Sequence, residues 1–252
     1  MNRLIMITLL ITSSFLSCKK DKNEAGHEKK ILLTRTSTTY TYDGSNMITE
    51  YAYDDHGRIV TELEDKGTTN EQPITYTYDS KGNIAARKFP ARGNLRNEYS
   101  YDNMNRMTAA QTYLEDGSKG DASAYTYYSD RIEESRTYKS GRSDKQILTY
   151  TADKKNIASY KWYDTGNNLR LEITYTYANI KNPLRNVNPF TPYNSINLIE
   201  KSVVIDYDDL KNPVTDTYTT TYVAGANGYP SGITEMLNGR EKSTTTYEYI
   251  VQ

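Results

Sequence analysis

A single cysteine, Cys18, excludes a disulfide within the chain, and two histidines, His27 and His56, leave little from which to build a His/Cys metal centre or a Ser-His-Asp relay. Phenylalanine is scarce, at 3 residues in 252, and Trp162 is the one tryptophan. Mean hydropathy is −0.81, and the one long apolar run, residues 4–16, falls short of the ~20 residues a membrane-spanning helix needs. A net charge of −1 gives no electrostatic footprint for nucleic acid. No glycine-rich phosphate loop follows a strand and opens a helix, and no helical periodicity is evident.

What the chain has in quantity is tyrosine, 25 residues, set in a recurring pattern. In Tyr76-Thr77-Tyr78-Asp79-Ser80-Lys81-Gly82-Asn83-Ile84, two rings spaced by two lie on one face of a strand. Asp79 favours a tight turn, Gly82 tolerates positive φ, and Ile84 opens the returning strand. The pattern recurs at Tyr53-Asp54-Asp55-His56-Gly57 and at Tyr101-Asp102-Asn103-Met104-Asn105. It is shortened at Tyr163-Asp164-Thr165-Gly166, and decayed at Tyr128-Ser129-Asp130 and Thr151-Ala152-Asp153. In the first turn, at residues 43–46, Asn46 takes the place of the glycine. Turns of another kind, around residues 64–70, 90–94, 115–120, 140–144 and 238–240, alternate with these. The segments between turns have strand length and no room for crossover helices, so the strands are antiparallel neighbours. The expected fold is all-β: an antiparallel meander of about 16 strands, rolled into a large barrel or half-barrel, a thin sheet of large area rather than a thick core. Residues 186–197, with Pro189 and Pro192, are expected to form a long irregular loop able to cap or plug something.

At the start of the chain, Arg3 precedes the apolar run, and Phe15-Leu16-Ser17-Cys18 resembles a bacterial lipobox, with Phe at the position where Leu is usual. That resemblance implies cleavage before Cys18 and acylation of it. Residues 1–17 are then a signal peptide, residues 18–30 a charged tether too polar to order itself, and residues 31–252 one all-β domain. The hairpins resemble the tyrosine-aspartate repeats of the Rhs and teneurin shells, whose Tyr-Asp-x-x-Gly-Arg signature is complete at residues 53–58. Lipobox, tether, degenerate hairpins and the late Lys-Asn-Pro turns at Pro183 and Pro213 together resemble a family of Bacteroidota lipoproteins with a porin-like fold. The resemblance implies a lipid-anchored protein of the bacterial cell envelope, at the outer membrane on a side left open, and it brings no activity with it.

No catalytic constellation, metal site or cofactor motif stands out. Asp54, Asp55, Asp206, Asp208 and Asp209 lack the spacing of a calcium loop and suit turns. Acids distant in sequence can still meet on a sheet as a glycosidase pair. The remaining signal is aromatic: Trp162, with Tyr160 on the same face, could stack against a sugar or a partner, or simply be a larger member of the tyrosine ladder. The functional expectation is a non-enzymatic, lipid-anchored envelope protein with an interaction or structural role, its partner a polysaccharide or a protein. The alternative is a glycan-active or glycan-binding protein using the tyrosine-lined face. A channel is a third class, disfavoured because segments such as residues 132–136 interrupt the apolar row that lipid contact requires.

Overall fold

The computed structural model describes residues 30–187, 195–209, 211–225 and 228–252. Cys18, His27, the signal peptide, nearly all of the tether and both prolines of the long loop lie outside these residues.

The strands are β1 (Ile31–Tyr40), β2 (Asn46–Tyr53), β3 (Ile59–Glu64), β4 (Gln72–Tyr78), β5 (Ile84–Phe89) and β6 (Leu95–Tyr101). They continue with β7 (Met107–Tyr113), β8 (Lys119–Tyr127), β9 (Arg131–Thr137), β10 (Ser143–Tyr150) and β11 (Ile157–Tyr163). The last are β12 (Leu169–Lys181), β13 (Asn197–Asp206), β14 (Val214–Ala224), β15 (Pro230–Leu237) and β16 (Arg240–Val251). Each strand pairs antiparallel with its sequence neighbours, and β1 pairs with β16, closing a 16-strand barrel. Two 3-10 turns, Pro90–Arg92 and Pro183–Asn186, follow β5 and β12.

The turn chemistry accounts for the meander. Asp54 Oδ1 accepts from the amides of His56 (3.0 Å) and Arg58 (2.9 Å), while the Gly57 amide donates to the Asp54 carbonyl at 2.8 Å. Gly57 sits at φ +71°, where a Cβ would be strained. Arg58 then grips Asp54 Oδ2 through Nε at 2.7 Å and lays its guanidinium 4.5 Å from the centre of the Tyr78 ring on the next hairpin. Arg106 repeats this with Asp102 and Tyr127, so the signature arginine ties one hairpin to the next.

Three sequence expectations change. In the first turn the left-handed residue is Gly44, at φ +69°, and Asn46 is already the first residue of β2. The turn after Tyr163 is of full length, with Asn167 in the left-handed seat at φ +58°, because an Asn side chain tolerates that region nearly as well as glycine. The turns at residues 114–118 and 138–142 are not of another kind. Gly117 and Gly141 close the same amide-to-carbonyl bonds that Gly57 closes, so the backbone solution is shared even where the Tyr-Asp pair is missing.

Register sorts every strand into two faces. One carries Leu33, Tyr51, Tyr53, Ile74, Tyr76, Tyr78, Tyr99, Tyr125, Ile132, Tyr175 and Tyr247, and the cross-strand partners keep that order around the ring. This face is the lumen. Val187, just past the second 3-10 turn, is buried in one cluster with Leu33, Ile59, Ile74, Tyr76, Ile84, Phe89 and Tyr247. From β12 to β1 the wall is five strands wide, about 24 Å at about 4.8 Å per strand. The six residues from Lys181 to Val187 reach at most about 20 Å. The short path points across the inner side of the wall, so Val187 packs against lumenal side chains near the rim that carries Lys30 and Gln252.

The outer face is polar. It carries Arg35, Glu50, Lys88, Arg96, Glu98, Glu133, Lys145, Lys161 and Glu172, interleaved with Ser and Thr and a few scattered aliphatics. Ion pairs stud this surface, as between Lys161 and Glu172 (3.1 Å).

Candidate functional site

The chain enters and leaves the barrel on one rim, where the amide of Lys30 donates to the Gln252 carbonyl and that of Gln252 to the Lys30 carbonyl, each at 2.9 Å. Turns that follow odd-numbered strands lie on the opposite rim. There the turns after β9, β11 and β13 surround a cleft of about 480 Å³. Trp162, one residue before the end of β11, forms its aromatic wall.

The indole is locked from behind. Trp162 Nε1 donates to Asp144 Oδ2 at 2.9 Å, and the Tyr138 hydroxyl donates to the same oxygen at 2.6 Å. Asp144 is buried, and the bond from the Tyr138 hydroxyl to it, followed by burial, holds that phenol above its usual range. Beside it, Arg170 places Nε and Nη2 each 2.7 Å from Asp164 Oδ2. The backbone amide of Asn168, and then Arg170, hold the Asp164 carboxyl down to about 2. Arg142 and Asp208 stand exposed at the mouth, with no side-chain partner among the described residues. Ser140 and Thr165 add exposed hydroxyls to the rim.

The two aromatic residues singled out in the sequence share a face but not a site. Tyr160 lies further down the wall, beside a saturated polar network, and burial pushes its hydroxyl up to about 12. Gln146 accepts from Arg136 Nη2 (2.7 Å) and donates to Glu134 Oε2 and to the Tyr160 hydroxyl (both 3.2 Å). Ser123 donates to Glu134 Oε1 at 2.6 Å, and Glu134 is only 2% exposed. A second lumenal knot joins Arg87 of β5 to Glu62 of β3 at 3.1 Å, with Tyr76 donating to the same carboxylate at 2.5 Å. Glu134, buried, and Glu62, partly buried, are both engaged by their neighbours, which fits a structural role.

The turn acids behave as the sequence suggested. Asp206 and Asp209 accept from backbone amides two residues on, at 2.8 and 2.9 Å, and His56 sits in its turn. Among the described residues no group of three or more His, Cys, Asp or Glu is placed to hold a metal ion. Sequence reasoning missed Tyr138, Arg142, Asp144 and Arg170, which reach the cleft from the strands flanking β11 and from the turn after β9. The arrangement can stack against a flat ligand face and exchange hydrogen bonds around it.

No protein-family model matches the chain, and no curated protein matches it by sequence. Among solved structures it is similar to a porin-like protein from Bacteroides uniformis ATCC 8492, with 13% identity and a TM-score of 0.55, over 87% of this chain and 96% of that one. It is also similar to a porin-like protein from Bacteroides vulgatus ATCC 8482, with 10% identity and a TM-score of 0.56, over 87% of this chain and 99% of that one. At such identities the likeness is one of fold alone, and the chain shares with both an all-β, porin-like barrel architecture.

Proposed function

We propose that this protein is a non-enzymatic binding module of the bacterial cell envelope, held to the outer membrane by a lipid on Cys18, with its barrel outside the bilayer. The observation that carries this reading is the outer wall. A barrel that spans a membrane needs an apolar outward band about 25 Å tall, and a charged Lys or Arg at the midplane of that band costs about 2–4 kcal/mol. Here the outward positions hold Lys88, Arg96, Lys145 and Lys161, and most of the tyrosines, with the aliphatics of the buried cluster, face inward. That is the reverse of a lipid-facing barrel, and Val187 is buried among the inward side chains Leu33, Ile74 and Tyr76.

The lipobox-like residues 15–18 support the anchor, in keeping with the resemblance to Bacteroidota lipoproteins built from tyrosine-aspartate hairpins. Because the chain enters the sheet at Lys30, the tether would leave the barrel on the rim opposite the Trp162 cleft, which leaves the cleft free to meet a partner in solution. The test is metabolic labelling of the full chain with radioactive palmitate, beside conductance measurements on planar bilayers. The expected result is label on the wild type, none on Cys18→Ser, and no current steps. An unlabelled wild type, or stepwise conductance, would overturn the reading.

A further inference from the structure

We infer that the cleft walled by Trp162 is a binding site for a neutral saccharide chain. The inference rests on the reading of the barrel as a binding module and names its ligand class. Its volume, about 480 Å³, falls in the range of small-ligand sites.

Lining chemistry narrows the occupant. Three carboxylates face two guanidiniums, and one of those, Arg170, is already taken up by Asp164. The third acid, Asp144, is buried and holds the Trp162 N–H and the Tyr138 hydroxyl, which leaves Arg142 and Asp208 balanced at the mouth, so neither an anion nor a cation finds an exposed surplus of opposite charge. An apolar ligand would desolvate Arg142, Asp208, Ser140 and Thr165 without replacing their hydrogen bonds, a loss that affinity seldom survives. What remains is a ligand that both donates and accepts along its edge and shows a C–H face to an aromatic ring. A sugar ring does both.

The positioning of the groups follows the same logic. Asp144 Oδ2 holds the indole N–H, so the ring is oriented before any ligand arrives and loses little freedom on binding. Arg142 and Asp208, unpartnered among the described residues, supply one donor fork and one acceptor at the mouth. Each can meet a neighbouring pair of hydroxyls without breaking an existing ion pair. Because the mouth residues are exposed, the site is open, and a chain can lie through it instead of ending in it.

Trp162 is the one tryptophan in the chain, so its emission reports on this cleft directly. The full chain in detergent solution would be titrated with hexasaccharides of β-1,4-glucan, α-1,4-glucan and β-1,4-linked N-acetylglucosamine, with oligogalacturonate as an anionic comparison and calorimetry alongside. The expected result is a saturable emission change with at least one neutral hexamer in the low millimolar range or tighter, and none with oligogalacturonate. Arg142→Gln and Asp208→Asn, both exposed, should each weaken that binding about tenfold while leaving the melting temperature in place. The inference is overturned if no neutral hexamer changes emission or heat, if only the anionic oligomer binds, or if affinity survives both rim substitutions together. Failure there, with palmitate labelling intact and no conductance, removes the ligand class alone. Conductance or an unlabelled chain would remove the anchored-module reading itself.

Discussion

Tyr78 donates its hydroxyl proton to the carbonyl oxygen of Ile59, 2.5 Å away on the neighbouring strand. The β3–β4 ladder stops at Thr61, two residues short of Ile59, so the phenol stands in for a missing backbone donor. The same clasp recurs from Tyr53 to Leu33 (2.6 Å), Tyr101 to Ile84 (2.8 Å) and Tyr127 to Met107 (2.9 Å). It returns from Tyr177 to Ile157 (2.6 Å) and Tyr249 to Pro230 (2.7 Å). Each time the acceptor lies two residues beyond the last ladder pair. Between β9 and β10 the ladder runs on to Arg131, and no clasp from Tyr150 is seen. This explains why the chain uses tyrosine where phenylalanine would fill the same space.

Removing one clasp should therefore cost more than an oxygen atom's worth of packing. Tyr78→Phe is expected to lose about 1–3 kcal/mol in urea unfolding, the cost of leaving a buried carbonyl unsatisfied. Tyr42→Phe, at a residue 79% exposed, should leave the midpoint unchanged.

Gly82 sits at φ +84° with open space around the position of a Cβ. Gly82→Ala should thus report backbone strain without a clash, about 1–2 kcal/mol by the same unfolding measurement. Asn105→Gly, in the equivalent seat at φ +59°, should stay within about 0.5 kcal/mol of the wild type.

Stability should fall at both ends of the pH scale. At the acid end, the Asn83 side chain at Asp79, the Arg106 amide at Asp102 and the Asn168 amide at Asp164 lead in holding these carboxyls below the ordinary value. Folded values below unfolded ones mean stability present above about pH 4 and lost as pH falls toward about 2, where Asp164 titrates. At the alkaline end, burial pushes Tyr78, Tyr127, Tyr160 and Tyr175 up to about 12 from the ordinary 10.0. Their contribution is complete below pH 10 and disappears as pH rises to about 12. Near-ultraviolet circular dichroism with tyrosinate absorbance should show ionisation and unfolding occurring together; tyrosinate forming in a barrel that stays folded would contradict it.

Asp144→Ala removes the shared acceptor of Trp162 and Tyr138. The expected loss is about 1.5–3 kcal/mol, as for a bond to a charged group, with red-shifted and broadened tryptophan emission as the indole loses its fixed orientation. An unchanged spectrum would show that the ring is held by packing alone.

The local level of this fold was legible from residues 53–58, 78–84 and 101–105, because a turn closes within five residues and its chemistry is carried by Asp, Gly and Asn. Strand direction, the approximate strand number and the two-faced alternation follow from that punctuation. The turns at residues 114–118 and 138–142 were harder to class, since the backbone geometry survives there without the Tyr-Asp pair that advertises it.

Sequence alone thus determined that the chain is an antiparallel meander with its rings on one side, since both properties depend on spacings of two to five residues. Only the tertiary structure decided that β1 meets β16, that the ring-bearing side faces inward, and that Trp162 meets Tyr138, Asp144, Arg170 and Asp208 at one rim. Those outcomes depend on the curvature accumulated over 16 strands and on contacts between residues far apart in the chain, quantities that no short spacing encodes.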